Sequence, residues 1–369
     1  MRARVLAAAV SLAVASGGAR ADETVRVRVA AGARSVTLSG SALRVDGQSV
    51  SASELVARSA DGQIRAGGKA RRRSIVVDAR GPIRLDGRAY PGSLRLSARG
   101  GDSLDVVNLV ALEPYVASAI ASETPASWPI EALKAQAVVA RSYALHERER
   151  RGGEPFDLEA SVISQRYGVS QVPEAAFAAA RATEGEYLAF AGEPILAAFH
   201  SSSGGATASA EEVWGEAVPY LRSVSSPDEA APDYFWSYEI SLADLTQALR
   251  EAGYAPGSLS EVRVCQRSES GRVERIQLGS VLLSGRDLRE LLGGRALRSA
   301  LFDARVDEGR VRFLGSGSGH GVGLCQWGAS ELAKRGASYR RILAHYYPGS
   351  DLRRVRANGS GPDDWSARR

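Results

Sequence analysis

Residues 112–148 read LEPYVASAIASETPASWPIEALKAQAVVARSYALHER, and proline alone marks off two helices in them. Pro114 suits a first helical turn, where its missing N–H is no loss. Tyr115 to Ser122 is rich in small helix formers, with Val116 and Ile120 four apart. Thr124 precedes Pro125 and so avoids the α region, which ends the first helix there. Pro129 opens a second helix, predicted to run to about Arg148. Its apolar set, Ile130, Leu133, Ala137, Val138, Ala140, Ala144 and Leu145, forms a wide buried stripe. Lys134 and Arg141 are seven apart and share a face.

Upstream of this pair, from Thr24 to Asn108, the pattern is short-stranded. Val25 to Val29, Val36 to Leu38 and Ser93 to Leu96 alternate with period two, and Asp46-Gly47, Asp61-Gly62 and Asp86-Gly87 punctuate them as turns. The basic run Arg71-Arg72-Arg73 reads as a solvated loop. Downstream, helices are predicted over Ala175–Thr183, Leu242–Ala252, Gly285–Leu292, Ser330–Arg335 and Tyr339–Tyr346. Between them fall a hairpin from Glu186 to Phe199 turning near Ala191-Gly192, strands around Val262–Val264 and Arg272–Leu278, and a glycine-rich loop from Gly315 to Gly323. The expectation is an α+β protein. It has a β-rich region over 22–108, a mixed α/β domain over 109–350 and a polar tail over 351–369, whose last dozen residues are expected to fray.

Before all this stand Arg2 and Arg4, an uncharged apolar run from Val5 to Ala15, and Ala19-Arg20-Ala21 followed by Asp22-Glu23. That order reads as a secretory signal peptide cleaved near Ala21. The apolar run is too short to span a membrane, which takes about 20 residues. The protein is therefore expected to be exported, to the periplasm, wall or extracellular space. Three arginines and no acid leave with residues 1–21, which brings the formal charge from +5 to +2. So mild a balance is no footprint for nucleic acid. Two cysteines, Cys265 and Cys325, do not make a disulfide framework in a chain of this size.

One carboxyl stands out. Glu123 ends the first predicted helix, at the negative end of its dipole, with Trp128 and two prolines nearby to reduce its hydration. Both effects disfavour ionisation, and a protonated carboxyl near neutral pH is what glycosidic general acid catalysis needs. A conventional glycosidase requires a second carboxylate at a set separation, for which Glu113, Glu131 and Asp157 are candidates. His200 precedes Ser201-Ser202-Ser203-Gly204-Gly205, but no G-x-S-x-G elbow occurs there or at Gly315 to Gly319. The glycine-rich loop fits neither G-x-G-x-x-G nor a P-loop.

Several motifs in order resemble the stage II sporulation protein D family, SpoIID/LytB, which includes the amidase enhancer domain. They are Leu112 to Val116, Ser122 to Pro129, Glu131 to Leu145, Phe199 to Gly205, Val213-Trp214-Gly215, Pro219-Tyr220-Leu221, Gly319 to Ala329 and His345 to Gly349. The motifs run from 112 to 349, and the resemblance as a whole covers about residues 24 to 350.

The resemblance implies a peptidoglycan lytic transglycosylase acting on glycan strands stripped of stem peptides. Its catalytic acid would be Glu123, in Glu-Thr-Pro where the family usually has Glu-Met-Pro. It also permits another role, that of a non-catalytic wall-binding module stimulating a cell-wall amidase. Lys134 and Arg141 are expected to hold the lactyl carboxylate of muramic acid. His200, Ser202, Ser203, Tyr220, His320 and Gln326 are expected along the sugar cleft, where His200 and Tyr220 also read as structural. Some relatives bind zinc through the matching His and two Cys six and twelve residues on. Here those positions hold Ala206 and Glu212, so no metal and no cofactor is expected.

Overall fold

The computed structural model describes residues 24–67, 69–160, 172–259 and 261–355. The expected leader lies outside them. The fold is α+β, and its first part is two facing sheets. One has seven strands in the order 158–159, 24–33, 103–111, 93–99, 74–78, 44–45, 48–49; the other has six, in the order 88–90, 83–85, 35–39, 54–60, 63–66, 69–72. Alternation builds them: along Glu54–Ala60 exposed and buried residues alternate, so Leu55 and Ala57 point into the shared core with Leu38, Ile64, Leu94 and Val106. The three Asp-Gly pairs take positive φ at both residues (48° and 77° at Asp46-Gly47), the geometry that matches a tight hairpin to strand twist. Arg72, read as a loop residue, instead ends the edge strand Lys69–Arg72, exposed beside Asp46.

The strand Ser103–Ala111 runs straight into helix α1, Leu112–Glu123, and a short turn leads to α2, Ile130–Arg150. Thr124 closes α1 in an extended conformation (φ −131°), its amide and hydroxyl both donating to the Ile120 carbonyl at 2.9 Å. Helix α2 is buried on opposite sides. Leu133, Ala137, Ala140 and Ala144 pack into the sheet core, whereas Ala135, Val138 and Val139 enter a second core with Leu324, Ile342 and Tyr346. Alanine at so many positions lets backbones approach from both sides.

Helix α3, Glu174–Ala182, packs on α1 and α2. The hairpin after it is shorter than expected: Glu186–Phe190 pairs with Glu193–Pro194, while Phe199–His200 runs parallel to Leu324–Cys325. The tail also starts in order, because Asp351–Arg354 pairs with Ala189–Glu186. Short α4, Ala210–Trp214, carries a capping box between Ser209 and Glu212.

Within the stretch 109–350, residues 235–316 gather round a third core of their own, including Trp236, Leu245, Ile276, Leu288 and Phe313. This lobe holds one sheet ordered 235–241, 310–316, 302–307, another of 262–267, 273–278 and 281–283, and helices α5 (Leu242–Glu251) and α6 (Gly285–Leu292). Gly315 and Ser316, expected in the glycine-rich loop, are its last strand residues. The chain then returns to the second core through α7, Gln326–Lys334, and α8, Tyr339–Tyr346. Among the described residues no helix is long and apolar enough to cross a membrane.

Candidate functional site

Glu123 is the last residue of α1 and is partly exposed. The turn after it is fixed by the Trp128 amide donating to the Pro125 carbonyl at 3.1 Å. The Trp128 ring then meets Trp327 of α7 edge to face, with centroids 5.1 Å apart. Two motifs 200 residues apart in the chain are thereby joined. The other carboxylates considered are committed to cations. Asp157 is buried and accepts from two guanidinium nitrogens of Arg26 on one oxygen and from its backbone amide on the other, Glu113 takes Arg141, and Glu131 takes Lys134 at 2.7 Å and the Tyr339 amide at 2.8 Å. Burial opposes ionisation of Glu131, but those two hydrogen bonds outweigh it and hold the group below the usual carboxylate range.

Lys134 and Arg141 do not act as a pair. Lys134 is partly exposed, its Nζ 5.7 Å from the centre of the Tyr339 ring. Arg141 is fully buried: it donates to both oxygens of Glu113 and to the Glu186 carbonyl. Equal helix facing did not give equal exposure, because α3 and the strand after it cover the second of the two sites. A guanidinium so enclosed is not placed to meet a ligand.

His200, Ser202, Ser203 and His320 do come together. The Nδ1 of His200 lies 3.1 Å from the Val322 carbonyl, which can only accept, so Nδ1 carries the proton and Nε2 accepts from the Ser203 hydroxyl at 2.8 Å. Burial pushes the pKa of His200 well below its ordinary value, in keeping with this neutral ring. Ser202 donates to Asp228 at 2.6 Å, and the amides of Ser203, Gly204 and Gly205 converge on the same carboxylate. Cys325, whose thiol is buried and pushed up to about 11 by that burial, lies 3.5 Å from it. Asp228 is thus the hub of the knot. Sequence reading passed over it because Ser226-Pro227-Asp228 carries no motif.

His320 accepts from the Val322 amide, and its ring lies 5.5 Å from His200 and 5.6 Å from Trp214. Burial lowers its pKa to about 4. Gly321 beside it has φ +86°, and a Cβ there would sit 2.3 Å from the Arg272 guanidinium. Tyr220 belongs to the second core: its hydroxyl accepts from the Leu196 amide, and its ring lies 5.5 Å from Phe190. Gln326 is buried at the start of α7, and its Nε2 finds no partner among the described residues; nor does either amide atom of buried Gln136.

Both cysteines are free thiols, and no group of three metal-ligating side chains occurs among the described residues. Glu212 caps α4 and accepts from Ser270 across the seam to the lobe.

The sequence matches the family model described as stage II sporulation protein over residues 100–190, and a domain of unknown function (DUF8618) over residues 221–323. It is 34% identical to a stage II sporulation protein D of Bacillus amyloliquefaciens, over 67% of this chain and 75% of that one. An uncharacterized protein of Brachyspira hyodysenteriae is also 34% identical, over 68% of this chain and 69% of its own. The amidase enhancer of Bacillus subtilis strain 168 is 28% identical, over 63% of this chain and 39% of the enhancer.

Proposed function

Because the chain belongs to the stage II sporulation protein D family, we propose that it acts on peptidoglycan as a lytic transglycosylase with Glu123 as its one catalytic carboxyl. Membership gives the protein a cell-wall role. The observation that carries the finer reading is that each candidate for a second carboxylate, Glu113, Glu131 and Asp157, is already held by a cation. A mechanism needing one carboxyl suits this arrangement better than one needing two.

In the first half of the reaction Glu123 gives its proton to the glycosidic oxygen as the C1–O bond breaks. The resulting carboxylate then takes the proton of the muramic acid 6-hydroxyl, whose oxygen bonds to C1. The sugar closes into a 1,6-anhydro ring, no water is consumed and Glu123 is protonated again. An intramolecular hydroxyl outcompetes water through its high effective concentration. Lys134, which can exchange Glu131 for a ligand anion, would bind a lactyl carboxylate freed by loss of the stem peptide. Export across the cytoplasmic membrane, read from residues 1–21, belongs to the same proposal.

The similarity to the amidase enhancer supports a second reading, in which the chain binds wall glycan and stimulates an amidase. Digestion of purified peptidoglycan, with and without amidase pre-treatment, separates the two. The transglycosylase yields soluble fragments ending in 1,6-anhydro-muramic acid, in greater amount after pre-treatment. Ordinary reducing ends would mean a hydrolase. No fragments, together with faster turnover by an added amidase, would establish the enhancer.

A further inference from the structure

A cleft of about 1070 Å³ lies between the body of the protein and the lobe of residues 235–316. Ser209, the run from Glu211 to Trp214 and Gly319-His320 form one wall, and residues of the strand Val273–Leu278 and of α6 form the other. Glu123 does not line it. The lobe wall falls in the segment matched only to a domain of unknown function.

Arg272 is the unusual residue here. It is 4% exposed, yet its guanidinium bonds only carbonyl oxygens, those of Ser203 and Ala206, and its Nε has no partner among the described residues. Burial opposes its charge; Glu212 and Asp228 favour that charge from nearby without bonding it, and an anion supplied from the cleft would offset the cost that remains. Arg289, on α6, also lines the cleft, and among the described residues it donates through its Nε alone, to the Arg298 carbonyl. Opposite them Trp214 is 38% exposed, its indole backed by His320. The rest of the lining is rich in carboxylates, including Glu211 and Glu274, which repel a simple polyanion but accept hydrogen bonds from hydroxyls.

An aromatic plate, planar polar side chains and a buried guanidinium together fit a ligand with many hydroxyls and an isolated carboxylate. We propose that this cleft is a second, non-catalytic binding site for an acidic saccharide, with Trp214 stacking on a pyranose face and Arg272 and Arg289 receiving the carboxylate. It is separate from Glu123 and works whether or not Glu123 cleaves anything. Only the choice of muramic acid as the probe sugar rests on the proposed function.

The test is calorimetric titration of the Glu123→Gln protein, which leaves the ligand intact, with peptide-free glycan fragments containing muramic acid. Chito-oligosaccharides of equal length serve as the carboxylate-free control. Saturable binding is expected, weakened about tenfold or more by Trp214→Ala, by Arg289→Gln and by the switch to the control ligand. Both substituted residues are partly exposed, so melting curves should match those of the parent, whereas Arg272→Gln risks the fold. The proposal is overturned by no binding, by equal affinity for the two ligands, or by binding that neither cleft substitution weakens. Absence of wall-cleaving activity in the unsubstituted protein, measured in a separate assay, would sink the catalytic reading and leave this one standing.

Discussion

Arg141 reaches Glu113 from inside the protein, its Nε and Nη2 donating to the two carboxylate oxygens at 2.8 and 2.6 Å. The pair ties α1 to α2, and the Gly185 amide adds a third donor to the same carboxylate.

Removing one partner leaves the other charge stranded. Arg141→Met is expected to destabilise the protein by about 3–5 kcal/mol, the usual loss for breaking a buried pair. Glu113→Gln in the same chain should restore part of it. Urea unfolding of the two single variants and the double measures the coupling, and simple additivity would show that the pair is not a unit.

Glu123→Gln preserves shape and removes the transferable proton. The variant should fold as the parent does and lose glycan cleavage by a factor of about 10² to 10⁴, the range for general acid–base assistance. Cleavage at near the parental rate would assign the acid to another residue.

Asp228 gathers three backbone amides and a hydroxyl onto one buried carboxylate. Asp228→Asn removes the charge and turns an N–H donor toward donors. A loss of about 3 kcal/mol is expected, since hydrogen bonds to charged groups contribute about 1.5–3 kcal/mol each. Thermal denaturation checks it; an unchanged midpoint would contradict the hub role.

Two imidazoles, buried His200 and partly exposed His320, make stability depend on pH. Both have folded pKa values below the ordinary 6.5, His320 at about 4. As pH falls below 6.5 the unfolded chain binds protons that the folded chain refuses, so stability falls with pH between 6.5 and 4. His320 contributes up to about 1.4 kcal/mol per pH unit in that window, and His200 acts in the same direction. Above 6.5 both states are neutral and the dependence ends. Melting curves across this range, compared with His320→Gln, should show a shallower slope in the variant; identical slopes would refute the assignment.

Metal independence is expected from how the knot is wired. Both ring nitrogens of His200 are engaged by Val322 and Ser203, and Glu212 is occupied by Ser209 and Ser270. A chelator should change neither activity nor melting temperature. Stoichiometric zinc in the purified protein would disprove this.

Local rules made much of the fold readable. Prolines 125 and 129 set the break between α1 and α2, and the Asp-Gly pairs located the hairpins. The strands Phe302–Asp307 and Arg310–Ser316 alternate as clearly, with Glu308-Gly309 at positive φ between them, yet sequence reading left residues 302–314 unassigned and took Gly315 and Ser316 into the loop that follows. What periodicity does not carry is the partner across space. Nothing near Arg141 in the sequence announces Glu113, nothing near Ser203 announces Asp228, and a helix buried on two sides gives no single stripe from which to tell a covered site from an open one.

The lobe joins the body at a narrow neck. The chain enters at Phe235 and leaves at Ser316, and these two are direct partners across adjacent antiparallel strands, so entry and exit lie about 5 Å apart. The lobe's apolar core is its own, while Arg272 and Glu212 meet the other side through polar contacts. A two-residue linker could therefore bridge the excision of the whole lobe without opening either of the other cores. The gap between the halves is thus a tunable dimension: insertions, trimming or rocking at this neck can widen or close it without disturbing the side chains that keep each half folded.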